Sequence, residues 1–190
     1  VKEPRVTTGF AIDLWRPSDD AATLAREIDD LGELLRLAVL EGAGVSFFVP
    51  FGVDAARAFW SGKVLPAVVA GTRRVLLARD AGRIVGTVQL DLALPPNQQH
   101  RAEVAKMLVH PDVRRRGVAR ALMTALEDVA RAEGRTLLTL DTVTGSRAER
   151  LYASMGYVTV GVVPRFARKS LSEELEGATI MYKDLSEVGD

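Results

Sequence analysis

Six residues, Arg114 to Ala119, limit what this chain can fold into, because they lie between an apolar run ending at Leu108 and Val109 and a long amphipathic stretch from Val118. His110, Pro111 and Asp112 turn the chain out of the run: Pro111 fixes φ, and Asp112 can bond nearby backbone groups. Val118, Leu122, Ala125, Leu126 and Val129 then recur at helical spacing until Glu133 and Gly134 end the helix. A strand, a tight basic turn and a helix N-terminus therefore meet at one place. The first N–H groups of a helix lack intrahelical acceptors and lie at the positive end of its dipole, so this turn favours an anion. Gly117 has no Cβ and lets a phosphate approach the main chain, while Arg114, Arg115 and Arg116 add positive charge.

Composition narrows the identity of that anion. The 25 basic and 25 acidic side chains of the 190 residues cancel, so no net field draws the chain to nucleic acid or an anionic membrane. The arginine turn also lacks the interleaved aromatics of a nucleic-acid module. There is no cysteine, which removes disulfides, thiolate metal sites and an acyl-cysteine intermediate together. His100 and His110 have no metal-ligand spacing, so no metal is expected. No cleavable leader and no membrane-length apolar stretch is visible, which makes a cytoplasmic protein the default reading. Residues 1–190 read as one domain with a substantial core, without repeat or linker.

From the beginning of the chain, Phe10 to Arg16 reads as a strand, and Ser18 as the cap of a helix with Asp19 and Asp20 in its first turn. Leu24, Ile28, Leu31, Leu35 and Ala38 give that helix an apolar face until Gly42 and Gly44 break it. Phe47, Phe48 and Phe51 follow, either lining a pocket or joining the core. A second helix begins near Asp54, with Ala56, Phe59 and Trp60 inward, and Pro66 kinks or divides it. Residues 74–79 and 83–94 read as a hairpin around Asp80, Ala81 and Gly82, and Arg101 to Val109 as the next strand. Thr136 to Asp141 reads as a buried strand, and Ser146 with Glu149 as a capping box for a helix ended by Gly156. Val158 to Val163 and Ala178 to Lys183 form a last hairpin, joined by a charged loop over 165–177.

The stretch from Arg114 to Ala119 matches the Arg/Gln-x-x-Gly-x-Gly/Ala signature of the GNAT superfamily of N-acetyltransferases. Downstream, Ala148, Leu151, Tyr152, Gly156 and Tyr157 are similar to the family's Ala-x-x-Leu-Tyr-x-x-x-Gly-Phe motif, and Arg16 to Asp20 resembles its opening strand and turn. Two motifs in order, with a helix and a strand between them, carry the resemblance. More narrowly, Arg101 to Val104, Leu140 to Thr142, and Gly145 with Ser146 resemble the tabtoxin-resistance branch, which acetylates a β-lactam-containing amino-acid toxin; that similarity spans roughly residues 100 to 185. Two positions depart from the family pattern: Gly145 stands where an asparagine is usual, and Tyr157 replaces phenylalanine.

The resemblance implies an α+β (α/β) GNAT fold: a mixed, mostly antiparallel sheet of about seven strands, splayed at the cofactor strand and flanked by about four helices. It implies acetyl-CoA as cosubstrate, with the diphosphate held by Arg114, Arg115, Arg116, Gly117, Val118, Ala119 and Arg120. The pantetheine arm would add main-chain bonds at Met107, Leu108 and Val109, like an extra strand beside 101–109, and a β-bulge would open the room for it. An N–H from the same segment would serve the developing oxyanion.

Transfer of an acyl group to an amine needs a neutral nucleophile and a stabilised leaving thiolate. With no cysteine, direct attack in a ternary complex is the simplest route. Tyr152 is the general-acid candidate, against the alternative that it packs on the sheet and bonds backbone. Glu103 and Asp141, each near a strand end at the cleft, are the candidate bases, or acceptor anchors. Phe47, Phe48 and Trp60 are the candidate acceptor wall.

The first reading is acetylation of a primary amine on a small molecule, an amino-acid-like antibiotic or a metabolite. Acetylation of a protein N-terminus or lysine is the second and needs an open groove. A non-catalytic acyl-CoA sensor is the third, and retention of Tyr152 argues against it. Monomer and homodimer both stay open.

Overall fold

The strand read at 101–109 forms over those bounds, and the sheet is arranged around it. The computed structural model describes residues 5–7 and 9–186. It contains the strands β1 (Arg5–Thr7), β2 (Phe10–Leu14), β3 (Arg73–Asp80), β4 (Arg83–Asp91), β5 (Arg101–Val109), β6 (Leu137–Val143), β7 (Val158–Arg168) and β8 (Leu175–Asp184). They form one sheet in the order β1-β2-β3-β4-β5-β6-β8-β7. Each neighbouring pair is antiparallel except β5 and β6. The strand beyond the seven expected is β1, a three-residue partner of β2.

The helices are α1 (Ala21–Leu40), α2 (Val53–Phe59), α3 (Leu65–Val69), α4 (Val118–Ala132) and α5 (Arg147–Ser154). A π-helical turn, Trp60–Val64, joins α2 to α3, so the helix expected near Asp54 is one run in three pieces. Pro66 is the cause: it has no N–H to offer the preceding turn, and the Leu65 N–H reaches back five residues to the Trp60 carbonyl. The cap of α1 is Asp20 rather than Ser18. Its carboxylate accepts from the Thr23 N–H at 2.8 Å, while Ser18 accepts from the Asp20 N–H one step earlier.

Alternation along the strands divides the core between the two faces of the sheet. On one face Ala102, Val104, Leu138, Leu140 and Met181 pack under Leu122, Met123 and Leu126 of α4. On the other, Trp15, Val75, Leu77 and Leu108 meet Leu31 and Leu35 of α1 and Trp60. The 80–83 hairpin closes as expected, with Asp80 paired to Arg83 across Ala81 and Gly82.

The last hairpin differs from the sequence expectation. Its strands run to Arg168 and from Leu175, leaving a short turn where a loop over 165–177 was expected. A register shift between Val163 and Ala167 absorbs Pro164, which has no N–H to pair. Beyond it Arg168 pairs with Glu173 at 2.7 Å and Lys169 with Glu174 at 2.5 Å, and the Lys169 N–H donates to the Glu174 carbonyl at 2.9 Å.

The feature that makes a site is the parting of β5 from β6. They pair only at Arg101↔Leu137, Ala102↔Leu138 and Glu103↔Thr139. Past that point β6 stays with β8 as far as Val143, and β5 stays with β4 as far as Val109. A bulge in β5 produces the divergence: Gln89 faces Ala105 while Thr87 faces Leu108, so the register slips by one residue. Lys106 sits at the slip with φ 50.

Candidate active site

The fork between β5 and β6 opens into a cleft of about 270 Å³. Lys106 and Met107 of β5 form one wall and Asp141 of β6 the other, with Ala148 and Tyr152 of α5 at one end and Gly44 and Ser46 from the loop after α1 at the opposite end. A smaller chamber of about 80 Å³ adjoins it, sharing Gly44, Ser46, Asp141 and Val143 and adding Phe47, Phe166, Arg168 and Glu176. Two compartments therefore meet at Asp141.

Local chemistry of α5 sets the position of Tyr152. Ser146 caps the helix, its hydroxyl accepting from the Glu149 N–H at 3.1 Å. Gly156 ends it at φ 84, a conformation a side chain would resist. The closing bonds run from Tyr157 N–H to Tyr152 O at 3.1 Å and from Gly156 N–H to Ala153 O at 3.1 Å, a Schellman motif. That motif lays the Tyr157 ring against Tyr152, with centroids 5.7 Å apart. The Tyr152 side chain is buried, yet among the described residues its hydroxyl has no hydrogen-bond partner. It does not spend its proton on the backbone. Burial, with the nearby Asp141 charge adding to it, drives the phenol well above its ordinary value of 10.0, so it stays protonated across neutral pH.

The departure at Gly145 is compensated locally. Glu149 reaches the Gly145 N–H rather than that of Ser146, and its other oxygen accepts from Thr179 Oγ1 at 3.1 Å. Arg150 donates to the Gly145 carbonyl at 2.9 Å. Glutamate and arginine thus hold the turn where the family uses an asparagine.

Asp141 lines both compartments and makes no ion pair or hydrogen bond among the described residues. Glu103 lies on the same face of the sheet at the base of the fork, half-exposed, with Arg101 Nη1 4.0 Å from its carboxylate. It does not line either compartment. The two candidate bases are thus brought to one end of the fork, but only Asp141 reaches the cleft. Lys106, which the sequence reading passed over, does line it. Its Nζ donates to Ser46 Oγ at 3.2 Å and stands 6.0 Å from the centre of the Phe47 ring. Burial is the main cause of its lowered pKa, opposed by Asp141 and assisted by Lys63 and Arg73.

The basic turn combines rigid and open parts. Arg114 pairs with Glu41 and donates to the Val109 carbonyl at 3.3 Å; Arg116 pairs with Asp80 at 2.8 Å. Arg120 donates to Ser154 Oγ at 2.7 Å and so ties α4 to α5. Arg115 makes no ion pair among the described residues. The arginines on either side of it therefore fix the turn instead of adding free charge. The main chain is what remains available. The Arg114 N–H bonds Pro111 O and the Ala121 N–H bonds Gly117 O, while the N–H groups of 115–120 have no protein acceptor among the described residues. Gly117 has φ 84, and a Cβ built there meets nothing within 4 Å. Glycine is required by conformation, and the space above it is open.

The aromatic residues separate into three roles. Phe47 lines the small chamber and packs on Phe51 and Phe59 at 4.7 and 5.2 Å. Phe48 is exposed outside both compartments, with the Arg168 guanidinium 3.7 Å over its ring. Trp60, read from sequence as acceptor wall, has zero exposure and sits edge-on to Trp15 in the core. The helical face that turns it inward turns it past the pocket. Trp60→Ala is expected to cost about 3–5 kcal/mol in urea unfolding and to leave the acceptor KM unchanged in protein kept folded in the cold. A raised KM at full stability would return Trp60 to the acceptor wall.

The sequence reading also passed over Ser46, Gly44 and Glu176. Ser46 and Gly44 carry a faint signal, in the small residues that follow the α1 helix break. Gly44 is tightly placed: a Cβ there would lie 2.3 Å from Val143 Cγ2. Lys106 carries none, because a bulge depends on the register of two strands.

With this geometry in view, comparisons with known proteins agree. The model of the acetyltransferase (GNAT) family matches residues 31–157. An uncharacterized N-acetyltransferase from the hisH-hisA intergenic region of Azospirillum brasilense is 31% identical over 135 residues, which is 67% of this chain and 78% of that protein. Among solved structures, yncA from Salmonella typhimurium, described with its cofactor acetyl-CoA, superposes with a TM-score of 0.72 at 21% identity, covering 94% of this chain and 96% of its own. The ribosomal-protein-S5-alanine acetyltransferase of Vibrio fischeri gives a TM-score of 0.76 at 12% identity over 100% of both chains. A family match across more than half the sequence, joined to a forked sheet and an open turn where that family's motifs fall, places this transferase in the acetyltransferase (GNAT) family.

Proposed function

We propose that this chain is an acetyl-CoA-dependent N-acetyltransferase whose acceptor is the primary amine of a small, amino-acid-like molecule. The observation that carries the reading is the free edge of β5, which runs from an open, anion-favouring turn at 115–120 into a cleft lined by Asp141 and Tyr152. Acetyl-CoA would fit that path. The unpartnered N–H groups of 115–120 suit its diphosphate, and the edge of β5 past Glu103 suits its pantetheine arm. When bound, it supplies the activated acyl group.

The remaining chemistry belongs to the chain. An alkylammonium must lose a proton before it can act as a nucleophile, and Asp141, which lines the cleft, would receive it, with Glu103 at the base of the fork. Tyr152, held protonated by burial, would offer its phenolic hydrogen to the leaving thiolate. Because its pKa lies above that of a thiol, hydrogen-bond donation to the sulfur is favoured over complete proton transfer. An N–H of 107–109 would serve the developing oxyanion. Holding the reactants in line supplies much of the acceleration.

The small chamber argues for a small acceptor. Its roughly 80 Å³, walled by Phe47, Phe166, Arg168 and Glu176, suits a small acceptor better than a polypeptide segment. The resemblance of Arg101–Val104, Leu140–Thr142 and Gly145–Ser146 to the tabtoxin-resistance branch points the same way. The test is free-CoA release over a panel of amino acids, amine antibiotics and peptides. Turnover with small amines, lowered by on the order of 10²-fold in Asp141→Asn, is the expected result. Turnover confined to peptides would transfer the reading to a protein acetyltransferase.

A further inference from the structure

Lys106 has no part in the reaction as described, yet it occupies the cleft. The sequence contains five lysines, at 2, 63, 106, 169 and 183. Lys169 is paired with Glu174 at 2.5 Å and Lys183 with Glu127 at 2.7 Å, and Lys63 is exposed on the π turn. Lys106 alone among the described lysines lines the fork, on the same wall as Met107 and across from Asp141. Its Nζ donates to the Ser46 hydroxyl at 3.2 Å, and no carboxylate lies within 4.0 Å of it among the described residues.

The groups around it come from several elements. Asp141 faces it from β6, Ser46 and Phe47 from the loop after α1, Lys63 from the π turn and Arg73 from β3, with Tyr152 at the α5 end of the same cleft. Taken together they depress the ammonium form, because burial outweighs the single nearby carboxylate. A lysine amine at a thioester cleft, its ammonium form disfavoured by burial and with no carboxylate within 4.0 Å among the described residues, is a nucleophile.

We propose that Lys106 is a self-acetylation site: with no external amine present, its Nζ takes the acetyl group and the chain crowds its own cleft across from Asp141. The step balances without an added reagent. The neutral Nζ forms a C–N bond to the thioester carbonyl carbon, the C–S bond breaks, and an Nζ proton passes through Asp141 or water to the departing thiolate. The products are acetyl-lysine and the free thiol of CoA. The amide removes a charge and adds bulk within a cleft of about 270 Å³, on the wall facing Asp141. This inference rests on the acetyl-CoA reading above.

The experiment incubates the full chain with acetyl-CoA and no amine, follows intact mass, and maps the label by peptide. Acetyl-CoA binding is measured separately by calorimetry. The expected result is one acetyl group on Lys106, gained on the order of 10²-fold faster than on exposed Lys63, as for a positioned reactant. Turnover of a free amine should fall in proportion to the fraction labelled. Lys106→Arg should bind acetyl-CoA, keep its melting temperature and take no label there. Binding and amine turnover with Lys106 unlabelled would overturn self-acetylation and leave the functional reading standing. Label spread evenly over Lys63 and Lys169 would likewise overturn it, as solution chemistry. Absence of acetyl-CoA binding would overturn both.

Discussion

Replacing Tyr152 with phenylalanine is expected to lower kcat by about 10²–10³-fold while the Kd for acetyl-CoA stays within about twofold. The substitution is unusually clean here. The ring keeps its contact with Tyr157 and its place above the Schellman turn, so packing is unchanged. The lost hydroxyl has no protein partner, so folding stability should move by no more than about 0.5 kcal/mol. What disappears is a donor facing the cleft, one that burial keeps protonated. The variant's melting temperature, calorimetric Kd and kcat together separate chemistry from structure. A kcat within twofold of wild type would reduce Tyr152 to a packing residue.

Gly117→Glu should act on the opposite side of the rate law. A side chain at φ 84 carries strain of about 1–2 kcal/mol, and a carboxylate placed over the N–H groups of 115–120 repels an anion there. Acetyl-CoA affinity is expected to fall on the order of 10²–10³-fold, or about 3–4 kcal/mol. At saturating acetyl-CoA, turnover should be largely retained, because Tyr152 and Asp141 lie at the other end of the β5 edge. Gly117→Ala, which introduces strain without charge, separates the two contributions. Unchanged affinity in Gly117→Glu would remove the diphosphate from this turn.

Where local chemistry decides the structure, the sequence was readable. The bounds of β5, the hairpin across Ala81 and Gly82, the Ser146 cap and the stop at Gly156 each follow from residues within a few positions of one another. Of the candidate site residues, Tyr152 and Asp141 line the cleft, whereas Glu103, Phe48 and Trp60 line neither compartment.

What could not be read depends on distant partners. Arg114 and Arg116 look like free charge until Glu41 and Asp80 fold beside them, 73 and 36 residues away in sequence. The bulge that swings Lys106 into the fork is a property of β4 and β5 together, so no spacing within β5 announces it. Trp60 was placed on the inward face correctly, but periodicity cannot distinguish a residue that lines a pocket from one sealed beneath it. The long β7 and β8 strands were hidden by charge, since their tips pair arginine and lysine with glutamates across the turn.

The most direct measurement is a crystal structure of the chain saturated with acetyl-CoA. Density for the diphosphate against the N–H groups of 115–120, with the pantetheine arm along β5 beyond Glu103 and the thioester between Asp141 and Tyr152, is the predicted result. A fully bound cofactor lying elsewhere, or an empty turn and an empty fork at saturation, would contradict it.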